Sequence, residues 1–291
     1  MRRSLLNFRA CLIGLFAAAM AWPPSMGRVW SQDSSERLAL SDSRRSELRE
    51  LLERAFDNSH SKCEVRIEGG KKWLTFEGST DLLPACLTTH RLGPNDTLQI
   101  TSQGGLTTPA IVAGMYIDKW RINVQIEGFC MSSCANYIAA AANTLSINSF
   151  SVLGLHGAPA LASQEAVDEL RAQIMKTSQI AESDREKVLK ASIDGLRQDS
   201  GMHQLAAMSL NVDSGWYELK EMRKRHQRPA VRGAMVIPSR RNVLNCLKGV
   251  QVGALWFPET AADREAIWEL YPSSRTQFTF DDETSSVACS L

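Results

Sequence analysis

The chain has almost no excess of charge of either sign. Lys and Arg total 33 against 32 for Asp and Glu, a formal net charge of +1 over 291 residues. That balance excludes the broad basic field that holds nucleic acid or an anionic membrane surface. The one basic run, Arg223-Lys224-Arg225-His226-Gln227-Arg228, reads as a solvated helix face. Long apolar runs are scarce too. The stretch from Ala10 to Trp22 is too short to cross a bilayer comfortably. Histidine is sparse, at 5 residues, and only the lone Cys130/Cys134 pair has a zinc-like spacing, with no partners near it. No metal and no other cofactor is expected.

What is present begins with a targeting segment. Arg2, Arg3 and Arg9 precede the apolar stretch, and Ala19-Met20-Ala21 offers the small-x-small pattern of signal-peptide cleavage. Residues 1–21 read as a secretory signal peptide, and Cys11 lies in its apolar core without a lipobox. The expected location is outside the cytoplasm, in the periplasm, with no membrane span left after cleavage. Removing this segment leaves Cys63, Cys86, Cys130, Cys134, Cys246 and Cys289. An even number in an exported chain suggests disulfides. Six thiols allow many pairings. Proximity favours Cys63 with Cys86, Cys130 with Cys134, and Cys246 with Cys289.

Residues 22–60 read as a flexible linker and one amphipathic helix, with Leu48, Leu51, Leu52, Ala55 and Phe56 at helical spacing. From 61 to 235 strands and helices alternate. Strands are expected at Cys63–Ile67, Trp73–Phe76, Thr97–Thr101, Ile122–Ile126, Thr144–Ile147 and Ser151–Leu155. Helices are expected at Pro109–Trp120 and Ser133–Ala142, with two charged helices between Gln164 and Leu196 and a short one at Trp216–Met222. Such alternation implies an α/β sheet covered by helices. Residues 236–291 change character and read as a small C-terminal extension with its own disulfide.

The segment Gly128-Phe129-Cys130-Met131-Ser132-Ser133-Cys134 puts a serine pair at a strand-to-helix turn. There a hydroxyl can stand exposed while helix N–H groups point at whatever binds. Acyl transfer by serine also needs a base, a group that orients the base, and donors for the oxyanion. His156, in Gly154-Leu155-His156-Gly157, sits where a base belongs. Asp213 could orient it, with Asp199 and Asp194 as further candidates. His60, His90, His203 and His226 have no such context. Gly104-Gly105 follows a strand, so its backbone can approach a substrate carbonyl. The N–H of Ser133, next to the serine, is a second donor. Ser132 also has a plainer reading as a helix N-cap.

In that order these motifs resemble the ClpP/crotonase superfamily, from about Trp73 to about Met222. They are most similar to exported ClpP-like proteins with a Cys-x-Ser-small-Cys turn followed later by Gly-x-His. Ile100-Thr101-Ser102-Gln103-Gly104-Gly105 resembles the family's Gly-Gly turn, although Gln103 stands where a proline is frequent. The family's nucleophile lies four residues after the glycine, which selects Ser132 over Ser133. Gly154-Leu155-His156-Gly157 resembles its histidine segment, and Asp213-Ser214-Gly215-Trp216-Tyr217 the segment with its aspartate. The resemblance implies a ClpP/crotonase-like spiral of strand-helix units. It also implies a serine peptidase or related hydrolase acting on a peptide or protein. Ser132, His156 and Asp213 would be catalytic, with oxyanion donors at Gly104, Gly105 and Ser133. The helices between Gln164 and Leu196 lie where relatives carry an oligomerisation handle, so a homo-oligomer is within reach. An inactive binding or scaffold protein of the same fold is the competing expectation. For Cys130 and Cys134 four readings stand: a clamping disulfide, a reactive thiol, a redox gate over Ser132, or two inert thiols.

Overall fold

The structure is a computed structural model. It describes residues 40–57, 61–155, 157, 163–210, 212–217, 235–271, 278–281 and 289. The signal-peptide segment, the basic run 223–228 and His156 lie outside the described residues.

Helix α1 (Asp42–Phe56) forms because Leu48, Leu51, Leu52 and Ala55 share one face, and all four are buried. Ser41 caps it by accepting from the Arg44 N–H at 3.2 Å. Asp42 in its first turn and Arg54 in its last complement the helix dipole. A hairpin follows, β1 (Lys62–Glu68) and β2 (Lys71–Glu77), turning at Gly69-Gly70, where both φ values are positive. A short turn at Thr80–Leu82 runs into α2 (Leu83–His90), with Pro84 in its first turn. Then come β3 (Thr97–Ser102), α3 (Thr107–Lys119), β4 (Asn123–Met131), β5 (Thr144–Ile147) and β6 (Val152–Gly154). Helices α4 (Gln164–Lys176) and α5 (Arg185–Ser209) form the charged pair read from the sequence, and α5 runs well beyond Leu196. Among the described residues the chain continues through a helical turn at 214–217. It ends with β7 (Met235–Ile237), α6 (Arg240–Cys246), β8 (Gln251–Leu255), α7 (Ala261–Leu270) and β9 (Phe278–Phe280).

The result is a mixed α/β fold around a largely parallel sheet. Its order is β1-β2-β3-β4-β5-β8, with β6 also on β4, and only β1 and β2 pair antiparallel. The segment set apart by sequence as an extension thus supplies an edge strand of the main sheet. A second, two-stranded sheet joins β7 to β9 and is tied to the first where Leu155 bridges Val236. Two apolar clusters form. One gathers α2, α3, the turn after β4 and part of α5 with Leu98, Ile100, Val124, Ile126 and Cys130. The other joins α1 and α7 to Phe129, Met131 and Val152. Neighbours on β4 therefore serve different cores, as the two-residue period of a strand requires.

Strand β4 bends where it matters. Ile100 pairs with Ile126 but Ser102 with Cys130, so β4 carries extra residues opposite β3. Gly128 takes φ 69° in that bend, donating its N–H to Ser151 Oγ at 2.9 Å and accepting from the Tyr271 hydroxyl at 2.8 Å. Before the bend β4 pairs with β5, and after it with β6.

The helix expected at Ser133–Ala142 takes a different form. A five-residue π-helical turn covers Cys134–Ile138, and a 3-10 turn covers Ala139–Ala141. Two constraints account for the wider coil. The Cys130–Cys134 disulfide holds its start to β4. Gly114 of α3 packs against the Tyr137 carbonyl, so closely that a Cβ there would lie 2.6 Å from the oxygen. Single π turns of this kind recur at functional sites.

Candidate active site at the Ser132 turn

Ser132 follows directly on β4 with φ 54°, the left-handed region that side-chain-bearing residues avoid. Its N–H donates to the Gly154 carbonyl at 2.8 Å, and its own carbonyl accepts from the Asn136 N–H at 3.0 Å. The side chain is half-buried, whereas Ser133 is only 4% exposed. A left-handed serine between a strand and a helical turn is the backbone setting of a nucleophile turn, and its intermediate burial leaves Ser132 partly open to solvent.

The glycine turn lies against it. Gly104 takes φ 97°, and a Cβ there would stand 2.7 Å from the Met131 carbonyl, 2.9 Å from Ser132 Cβ and 3.2 Å from the Ser133 nitrogen. Two motifs far apart in sequence therefore form one surface. Gly104 itself is not a free oxyanion donor, because its N–H donates to Ser102 Oγ at 3.1 Å. This corrects the expectation for that residue; its role is to let the backbones meet. Among the described residues no acceptor takes the Gly105 or Ser133 N–H.

A third wall was not legible in the sequence. The Ser79–Asp81 loop backs Gly105, where a Cβ would stand 2.5 Å from Ser79 Oγ and 2.8 Å from Thr80 Oγ1. The Thr80 N–H donates to the Gly104 carbonyl at 3.0 Å, and Thr80 Oγ1 lies 3.0 Å from Ser133 Oγ in a buried contact. Asp81 accepts from the Leu106 N–H at 2.6 Å. The local sequence offers only Gly78-Ser79, a turn pair shortly after the strand Trp73–Phe76.

His156 is outside the described residues, but its neighbours are tied to the serine turn. Gly154 holds the Ser132 N–H, and Leu155 exchanges two backbone hydrogen bonds with Val236, at 2.8 and 2.9 Å. Gly157 accepts from Asn136 Nδ2 at 2.8 Å. Asn136 is 3% exposed, and its Oδ1 has no described partner. Its side chain links the serine turn to Gly157, next in sequence to His156.

Asp213 has partners of its own among the described residues. It accepts from the Gly215 N–H at 2.9 Å, capping the 214–217 turn, and pairs with Lys248 at 3.5 Å. Asp199 accepts from Thr108 Oγ1 at 3.2 Å, and Asp194 lies on the surface 4.0 Å from Arg197. His203, by contrast, is buried under the turn. Its Nδ1 lies 3.0 Å from the Tyr137 hydroxyl, and Tyr217 packs edge-on at 4.6 Å. Burial lowers the His203 pKa. It raises those of Tyr137 and Tyr217, with the Tyr217 and Asp199 charges adding to the shift at Tyr137. The cluster buttresses the π turn.

Disulfides join Cys63 to Cys86, Cys130 to Cys134 and Cys246 to Cys289. Cys130 and Cys134 are each 0% exposed. A reactive thiol or a redox gate needs a sulfur that solvent can reach, so the geometry fits a clamp. His90 lies near the Cys63–Cys86 sulfurs, but a disulfide supplies no thiolate for a metal. A separate cavity of about 360 Å³ lies among β7, β9, α6 and α7, and no residue of the serine turn lines it.

No protein-family model and no curated protein matches the chain. Among solved structures it is similar to a Streptomyces avermitilis protein described as an enoyl-CoA hydratase. The two share 9% identity over 59% of this chain and 92% of that one, with a TM-score of 0.29. A likeness at that level carries nothing about what the chain does.

Proposed function

We propose that the chain is an exported, periplasmic serine hydrolase, a ClpP-like peptidase acting on a peptide or protein, with Ser132 as nucleophile. The observation that carries this reading is the left-handed Ser132 at the strand end, with the Gly104 backbone packed against it. Ser132 Oγ attacks the carbonyl carbon and gives its proton to His156. The Gly105 and Ser133 N–H groups hold the developing oxyanion. The leaving group takes the proton back, and water then releases the acyl group from the serine. Asn136 supports the assignment of the base, because it anchors Gly157 next to His156. Asp213 would orient His156 only through contacts beyond those with Gly215 and Lys248. The succession of strand-helix units belongs, in this reading, to a ClpP/crotonase-type spiral.

A fluorophosphonate probe tests the proposal. The folded protein should be labelled at Ser132, with no labelling in Ser132→Ala and labelling slowed at least about a hundredfold in His156→Ala. A folded, monodisperse wild-type sample that takes up no probe would point instead to a binding protein that kept the fold.

A further inference from the structure

Strand β1 ends the main sheet, and no described strand covers its outer edge. Glu64, Val65, Arg66, Ile67 and Glu68 are all exposed, with Ile67 at 72%. An open edge of this length is a template for another strand. Its sequence decides which strand fits. Lys62, Glu64, Arg66 and Glu68 lie on one face, and Cys63, Val65 and Ile67 on the other. We infer that β1 pairs antiparallel with β1 of a second copy about a two-fold axis at Val65.

In that register Lys62 stands opposite Glu68 of the second copy, and Glu64 opposite Arg66. Cys63 meets Ile67, and Val65 meets Val65. Every charge faces its opposite and every apolar residue faces an apolar one, along the full strand. Shifting the pairing by two residues places Glu64 opposite Glu64, or Arg66 opposite Arg66, and like charges directly opposite repel. Shifting it by one sets the charged face of one strand beside the apolar face of the other. Within each strand Lys62 pairs with Glu64 at 3.4 Å and Arg66 with Glu68 at 2.6 Å, and Lys62 also reaches Glu77 of β2 at 3.9 Å. Arg66 is further steadied over the Trp73 ring at 4.9 Å. A contact of one strand pair falls short of the roughly 1,200 Å² of a standard interface, so the dimer is weak and concentration-dependent. It is isologous and uses a different face from the Gln164–Leu196 helices.

Sedimentation velocity of the full chain, disulfides intact, tests this over a concentration series at low salt. The wild type should shift from monomer to dimer. Glu64→Arg, which sets like charges opposite, should weaken association at least tenfold. The double change Glu64→Arg with Arg66→Glu restores the cross-strand pairs and should restore the dimer. Val65→Cys should form a covalent dimer under mild oxidation. A wild type that stays monomeric throughout overturns the inference. So does association that Glu64→Arg leaves unchanged, or a double variant that fails to recover it.

Discussion

Ser132 holds a backbone conformation that costs a residue with a side chain about 1 kcal/mol, and the surrounding contacts hold it there. Gly104 is the partner that makes this feasible, and it gives a sharp test. Gly104→Ala introduces a methyl 2.7 Å from the Met131 carbonyl at φ 97°, so we expect a loss of about 2 kcal/mol or more and no labelling of Ser132. Gly195, inside α5, is the control. A Cβ there meets nothing within 4 Å, so Gly195→Ala should stabilise the protein by up to about 1 kcal/mol and leave labelling alone. Urea unfolding with parallel probe uptake reads both. At this scale the glycines and serines were legible in sequence because their signals are local. Asn136 and Thr80 were not, since each acts through a contact 21 or more positions away.

At the scale of elements, the π turn and its disulfide form one unit. The Cys130–Cys134 closure spans 4 positions, whereas Cys246–Cys289 spans 43. Chain entropy therefore assigns about 2 kcal/mol to the first and about 4 kcal/mol to the second. Replacing both cysteines of each pair by alanine should follow that order in urea unfolding. Labelling should show the reverse. Loss of the short closure frees the serine turn and should abolish probe uptake, while loss of the long one leaves uptake per folded molecule intact. Equal labelling in both variants would deny the short disulfide any part in shaping the site. Helices α1, α3, α4 and α5 and strands β1 to β6 were readable, because their apolar periods run long enough to stand out or sit between clear turns. Helix α2 hides in a short apolar stretch. Strand β8 has four of its five residues exposed, so no alternation announces it, and only its pairing with β5 makes it a strand. The regular helix expected after Ser132 failed because one of its two constraints, Gly114 against Tyr137, comes from another element.

For the molecule as a whole, His203 ties stability to pH. Burial lowers its pKa, so the unfolded chain takes up the proton first. Its effect is absent above the ordinary histidine value of 6.5, and stability falls as pH drops from there towards the folded-state value. Tyr137 and Tyr217, whose pKa values are raised, stay protonated throughout. Melting temperatures from about pH 8 to about pH 5 should decline more steeply for the wild type than for His203→Gln, which keeps an acceptor for Tyr137. Parallel slopes would remove His203 as the source. The α/β class was legible across this scale because the strand-helix alternation is regular from 61 to 155. The joining of β7 and β8 to the same body was not, as it rests on pairings such as Leu145 with Val252 and Leu155 with Val236.

One of those distant ties has a consequence in time. The Tyr271 hydroxyl seals the bend of β4 at the Gly128 carbonyl, across 143 positions. A nascent polypeptide that stops short of residue 271 leaves the bend open beneath Ser132. Maturation of the serine turn thus waits until residue 271 has been made, and a chain cut short before it carries the residues of the turn without this tie.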